Sequence, residues 1–306
     1  MAYREQGVVN DAQAYKIMAK AAELGLMVNV HAENALVINE RADEYLRQGK
    51  VEVKYHAESR PPQLEAEATG RAIALAELTG AAVYIVHVSC AQAMEQILEA
   101  RRRGVKVYAE TCPQYVVLDE SCLELPDGEA AKYVCVPPLR EKWHQEELWD
   151  SMRAGFISVV GSDHCPFRYE EKLAQSKRDF TKIPNGLPGI EDRFLMMYEY
   201  GVHAQRITLQ TFVDVMCTKP AKLFGLTKKG ALQIGYDADI VLLDPRRSTI
   251  ITWEHQKQQL DYNLFEGTKV HAAITHVFSR GELIVHKGDV VGESGRGRYL
   301  HRKAHQ

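Results

Sequence analysis

The sequence predicts an α/β fold: a parallel sheet of repeated βα units over residues 1–228, then a β-rich segment over residues 229–306. Two observations carry this. Short β-branched runs alternate with longer amphipathic stretches through the first part, and after Lys228 the texture changes to short strands punctuated by Gly and Asp turns. With 45% hydrophobic and 26% charged residues in 306, the chain can bury a sizeable core and is too apolar for a disordered protein.

The Ala-rich stretch 11–26 predicts a helix with Asn10 or Asp11 as N-cap, and 27–31 behind it a strand ending at His31. Residues 33–49 are expected to be helical, their charges forming a solvated face. Ser59-Arg60-Pro61-Pro62 breaks the chain, and 63–80 resumes as a helix that stops at Gly80. Strand 82–88 contains His87. Helix 91–103 and strand 105–109 lead into Glu110-Thr111-Cys112-Pro113. Helix 143–154 precedes strand 157–163, which ends at Asp163, and residues 188–203 and 209–224 supply later helices. Beyond these, 238–244, 272–278 and 282–286 are short strands, and 296–306 is a basic tail expected to be mobile.

Several function classes are excluded at this level. Lys+Arg 38 against Asp+Glu 41 gives a net charge of -3 with no basic block to neutralise a row of phosphates, so nucleic acid is not an expected partner. No apolar run approaches the roughly 18 residues that span a bilayer, and Met1-Ala2-Tyr3-Arg4-Glu5 lacks the apolar region of a signal peptide; the expected location is cytoplasmic, with no membrane partner. The 6 cysteines are scattered without a C-x-x-C pair, which argues for reduced thiols over a disulfide framework or a thiolate zinc site.

Three of the expected strands end in an ionisable residue: His31, His87 and Asp163. In a parallel α/β barrel the C-terminal strand ends converge on one rim, and two imidazoles with a carboxylate there suit zinc. A single His at a strand end serves a structural role as readily; the recurrence at equivalent positions is what points to a metal. Cys112 and Cys165 lie near the same rim without a His partner fixed by the sequence, and small buried thiols are common, so a nucleophilic role is not assigned. His164 fits a supporting role better than a ligand's.

The words around these residues are more specific. His31-Ala32-Glu33-Asn34, Tyr55-His56-Ala57, Glu110-Thr111-Cys112-Pro113-Gln114-Tyr115, Pro137-Pro138-Leu139-Arg140, Gly161-Ser162-Asp163-His164-Cys165 and Phe180-Thr181-Lys182-Ile183-Pro184-Asn185-Gly186 closely resemble the dihydropyrimidinase and D-hydantoinase branch of the amidohydrolase superfamily. The resemblance runs on through Phe265-Glu266-Gly267 and Gly295-Arg296-Gly297-Arg298-Tyr299-Leu300. It implies a partial (β/α)8 TIM barrel whose C-terminal β-rich segment belongs to a composite β-sandwich. The implied reaction is metal-dependent hydrolysis of the cyclic amide of dihydropyrimidines or 5-substituted hydantoins to N-carbamoyl amino acids.

The resemblance also implies roles. Two zinc ions are held in the family by an H-x-H pair, a bridging carboxylated lysine, two later histidines and an aspartate; His31 and His87 match the histidines and Asp163 the aspartate. Asp163 would also be the general base, passing a proton to the leaving ring nitrogen. Tyr3 resembles the tyrosine that steadies the developing oxyanion, although an ordinary terminal residue is an equal reading. Asn185 and the backbone of Val136 match positions that hold the imide edge; between Pro184 and Gly186, Asn185 suits a turn equally well. Val136 is commonly serine in relatives, a change that a backbone contact tolerates. The implied assembly is a homotetramer around a small cyclic ureide or imide substrate.

One departure stands out: no H-x-H occurs in the 306 residues, and Met1-Ala2-Tyr3 falls just after the family's lysine position. Arg4 is no substitute, since a guanidinium neither forms a carbamate nor offers a lone pair. The expectation is therefore an N-terminally truncated hydrolase, with unpaired sheet edges where a barrel would close. The alternative is a non-catalytic dihydropyrimidinase-like assembly protein, and a second chain supplying the absent half is a further possibility.

Overall fold

The computed structural model describes residues 8–126 and 128–304. Tyr3 therefore lies outside the described residues.

The chain opens with α1 (Asp11–Glu23), capped by Asn10, whose side chain accepts from Gln13 N while Gln13 bonds back to Asn10 N. β1 (Met27–Val30), α2 (Ala35–Arg47) and the single turn α3 (Tyr55–Glu58) follow. Next come α4 (Pro62–Thr79), β2 (Ala82–Ile85), α5 (Ala91–Arg102) and β3 (Val107–Thr111). Pro62 sits where a first-turn N–H has no intrahelical partner, and Gly80 closes α4 at φ 74, a left-handed conformation glycine adopts without strain. After α6 (Pro113–Val117), α7 (Trp143–Arg153) leads into β4 (Ile157–Val160) and α8 (Tyr169–Ser176).

The four strands form one parallel sheet in sequence order, β1-β2-β3-β4, with Met27 opposite Ala82, Val83 opposite Val107 and Ala109 opposite Ile157. β2 and β4 are buried at every residue, which is why they are continuous apolar runs rather than alternating ones. Helices α4 and α5 pack on the sheet through Ala68, Ala72, Ile73, Met94 and Ile97. The strands expected at 27–31, 82–88 and 157–163 each end earlier than their apolar runs suggest, so that His31, His87 and Asp163 stand beyond the last sheet residues Val30, Ile85 and Val160, whereas the strand expected at 105–109 runs on to Thr111.

The two later helices differ from expectation in form. α9 (Arg193–Met197) widens into a π-helical turn over Tyr198–His203, and α10 (Leu209–Val213) into another over Asp214–Thr218 before α11 (Lys219–Leu223). Pro220 explains the second, because it lacks the N–H that an α-helical turn would direct at Met216.

β5 (Ile240–Asp244), β8 (Ala273–Ser279), β9 (Glu282–His286) and β10 (Asp289–Val290) form an antiparallel sheet in the order β10-β9-β8-β5. β6 (Thr249–Ile250) and β7 (Lys269–Val270) pair separately. The stretch between them returns to the main core: Ile251, Tyr262, Leu264 and Phe265, together with Val270 of β7 and Ala272 just after it, are buried in the same cluster as the parallel sheet. The basic tail, expected to be mobile, is anchored: Arg296 donates to Ser279 O at 2.8 Å and Lys303 N to Gly225 O at 3.1 Å. Among the described residues no helix is long and apolar enough to cross a membrane.

Packing leaves a histidine in the core. His56 is buried and its Nε2–H donates to the carbonyl of Cys135 at 2.8 Å; burial first, then the Arg60 guanidinium, push its pKa down to about 3 from 6.5. Between these values the unfolded chain binds a proton that the folded one does not, so stability falls as pH drops through 6.5. Unfolding in urea should therefore show a loss of about 2 kcal/mol between about pH 7 and pH 5 from His56 alone. His56→Gln should flatten that slope; an unchanged slope would refute the assignment.

Candidate functional site

The carboxyl ends of β1, β2 and β4 carry the predicted residues. His31 Nδ1 and His87 Nε2 face each other at 2.8 Å across the neighbouring strand ends, their rings edge-on with centroids 4.7 Å apart. His31 Nε2 lies 3.0 Å from Glu33 Oε2, so a neutral His31 donating there presents the Nδ1 lone pair to His87. Glu33 is in turn held by Arg60 Nη1 at 3.2 Å. Burial opposes its charge, but Arg60 and then His31 hold its carboxyl down at about 2.

Glu33 corrects the sequence reading. It was expected on the solvated face of a helix; it precedes α2, whose N-cap is Asn34, and is 1% exposed. The reason is the distant Arg60, which compensates a carboxylate that could not otherwise be buried.

His87 is buried, and desolvation followed by repulsion from His31 drives its pKa down to about 3. Its Nδ1 is buried without a hydrogen-bond partner among the described residues. The backbone is unusual at two of the three predicted ligands: His87 has φ 42 and Asp163 φ 47. Left-handed non-glycine residues are costly and collect at functional sites, where their side chains must be aimed. Burial raises the pKa of Asp163, and His31 opposes the rise.

Glu110, at the end of β3, completes the wall. It accepts from the Tyr84 hydroxyl at 2.7 Å, and burial raises its pKa against that bond. Gly161 leaves room for it: a Cβ there would fall 2.6 Å from the Glu110 carboxyl carbon and displace that carboxylate. Cys112 is fully buried and desolvation pushes its thiol well above the ordinary range, which disfavours a nucleophilic role. Cys165 is exposed.

The residues expected to hold substrate lie on segments joined through the backbone. Gly186 N donates to Val134 O at 3.1 Å, and Cys165 N to Leu187 O at 3.0 Å, which ties the segments bearing Val136, Asn185 and Asp163 together. Val136 is buried, and Asn185 Oδ1 is a buried acceptor without a partner among the described residues.

The two imidazoles fit a metal. Tetrahedral zinc with nitrogen ligands at about 2.0–2.1 Å spaces them by about 3.3 Å, so a small opening of the 2.8 Å pair would admit the ion. Asp163 does not close a compact cage with them. Among the described residues, the only set of three His, Cys, Asp or Glu with ligand atoms all within 4.8 Å is Glu199, His203 and His271, which sequence reasoning missed. These are drawn from the π-helical turn after α9 and from the link between β7 and β8, so no local spacing announces them.

Known proteins share this architecture. The pattern of the Amidohydrolase family matches residues 1–284. The D-hydantoinase of Geobacillus stearothermophilus is 49% identical over 303 residues, 99% of this chain but 64% of that protein, so the chain spans just under two thirds of this relative's length. The dihydropyrimidinase structure from Brevibacillus agri NCHU1002 superposes with a TM-score of 0.98 at 48% identity, covering 100% of this chain and 67% of that one. The D-hydantoinase of Bacillus sp. AR9 gives 0.97 at 48% identity, covering 100% and 68%. The parallel sheet is thus the TIM-barrel-like core of the hydantoinase architecture, with the C-terminal antiparallel sheets beside it.

Proposed function

The chain belongs to the amidohydrolase family, in its D-hydantoinase and dihydropyrimidinase branch, and on that footing we propose that it carries the base-and-histidine half of a zinc-dependent cyclic amidase site. The reaction is hydrolysis of a dihydropyrimidine or 5-substituted hydantoin ring to an N-carbamoyl amino acid. The observation that carries the reading is the facing pair His31 Nδ1 and His87 Nε2 at 2.8 Å, one ring oriented by Glu33 and the other held in a left-handed backbone. These two imidazoles and Asp163 would hold metal, and the chemistry a bound zinc ion supplies is Lewis acidity, acidifying a water and polarising the ring carbonyl.

Asp163 takes the proton of the attacking water as a C–O bond forms, and returns it to the ring nitrogen as the C–N bond breaks. Asn185 is assigned the imide N–H and the Val136 backbone the same edge, a reading supported by the buried, unpartnered Asn185 Oδ1. Tyr3 is assigned the oxyanion, on resemblance alone. The proposal includes a division into a barrel portion (1–228) and a sandwich portion (229–306), a homotetramer and a cytoplasmic location. It also holds that this chain by itself, without H-x-H or a carboxylated lysine, is an incomplete catalyst.

The test fuses the N-terminal third of the Geobacillus stearothermophilus D-hydantoinase to this chain and measures zinc content with dihydrouracil and hydantoin hydrolysis. The fusion is expected to hold about two zinc ions at the amidase site, beyond any that the chain alone binds, and to turn over; the chain alone is expected to lack that pair and to be inert. Turnover by the chain alone would overturn the need for the absent ligands. A folded, zinc-loaded but inert fusion would favour a non-catalytic assembly role.

A further inference from the structure

Glu199 and His203 stand four residues apart on the π-helical turn that follows α9, a wide turn of the kind found more often at functional positions than elsewhere. His271, between β7 and β8, reaches them from the other part of the chain: its backbone N donates to Glu199 Oε2 at 2.7 Å, and its Nδ1 lies 2.9 Å from Glu199 Oε1. The His203 and His271 rings stack at 4.3 Å with planes 15° apart. Each of the three residues offers a ligand atom, all within 4.8 Å of one another. Both imidazoles are exposed, so turning them toward a common point meets little packing resistance, whereas Glu199 is largely covered and already fixed.

We propose that Glu199, His203 and His271 form a second metal site, separate from the His31–His87 pair, that takes one zinc-class divalent cation. Two imidazoles and one carboxylate are the donor set of that class, and three protein ligands leave a fourth position for water. Hard cations such as calcium, which prefer six or more oxygens, are disfavoured. The ion would staple the α9 region to the strand that enters the antiparallel sheet, and so act on stability rather than chemistry. It does not depend on the amidase reading, because none of the three residues has a role in it.

The experiment is equilibrium dialysis of this chain against zinc chloride, with metal analysis and thermal unfolding, for the parent, a His203→Gln/His271→Gln variant and a His31→Gln/His87→Gln variant. The exposed pair can be replaced without disturbing the core, and circular dichroism verifies it. The parent should hold one zinc equivalent that the His203/His271 variant loses, and the His31/His87 variant should keep it. Added zinc should raise the unfolding midpoint wherever that equivalent is present. Equal zinc content and equal thermal shift in the parent and the His203/His271 variant would overturn the proposal, as would no binding by any of the three.

Discussion

Glu65→Ala lowers the unfolding free energy by about 3–5 kcal/mol, measured by chemical denaturation. Glu65, in the first turn of α4, is buried and accepts from Ser89 N at 2.9 Å, from the Ser89 hydroxyl, and from Arg140 Nη2 at 2.8 Å. Arg140 also donates through Nε to Ser89 Oγ at 2.9 Å and through Nη1 to the Arg60 carbonyl. Every arm of the guanidinium is thus engaged, and removing Glu65 strands a cation away from water. A Glu65→Leu/Arg140→Met double variant should recover much of the loss, because the cost lies in the unpaired charge rather than in any large net worth of the pair. A Glu65→Ala loss below about 1 kcal/mol would show that water reaches the guanidinium. The network has a reach beyond stability: Arg140 fixes the Arg60 backbone, Arg60 holds Glu33, and Glu33 orients His31.

The second large effect is on turnover. In the fusion described above, Asp163→Asn is expected to lower kcat by about 10³-fold or more, since an amide cannot carry a proton between water and the ring nitrogen. The fold should be unaffected: Asp163 sits at φ 47, and asparagine is among the residues that tolerate the left-handed region best. Unfolding free energy within about 0.5 kcal/mol of the parent, together with lost turnover, separates a chemical role from a structural one. Activity within tenfold of the parent would remove Asp163 from the mechanism.

The sheet was legible because burial on both faces writes itself into sequence as short apolar runs, as in Ala82-Val83-Tyr84-Ile85 and Ile157-Ser158-Val159-Val160. His31, His87 and Asp163 were legible because each ends such a run. Glu33 was not: as a charged residue before a helix it carries the signature of a solvated face, and its burial depends on Arg60, 27 positions away. Glu65 and Arg140 escaped for the same reason, their partnership spanning 75 positions. The words His31-Ala32-Glu33-Asn34 and Pro137-Pro138-Leu139-Arg140 contained Glu33 and Arg140, but periodicity reports faces of single elements and says nothing about pairs formed by tertiary approach. The π-helical turns were missed because each follows an ordinary helical pattern, and only the second has a local cause, Pro220.

The left-handed backbone at His87 and Asp163 sets two evolutionary pressures against each other. A glycine at either position would relax the backbone, so a lineage selected only for abundance would drift toward glycine there. A histidine and an aspartate persist at such places only while something continues to demand their side chains. Among relatives of this chain, the residue at these two positions therefore works as a record of use: a reader of many sequences could sort working sites from lapsed ones by them, without measuring a single rate.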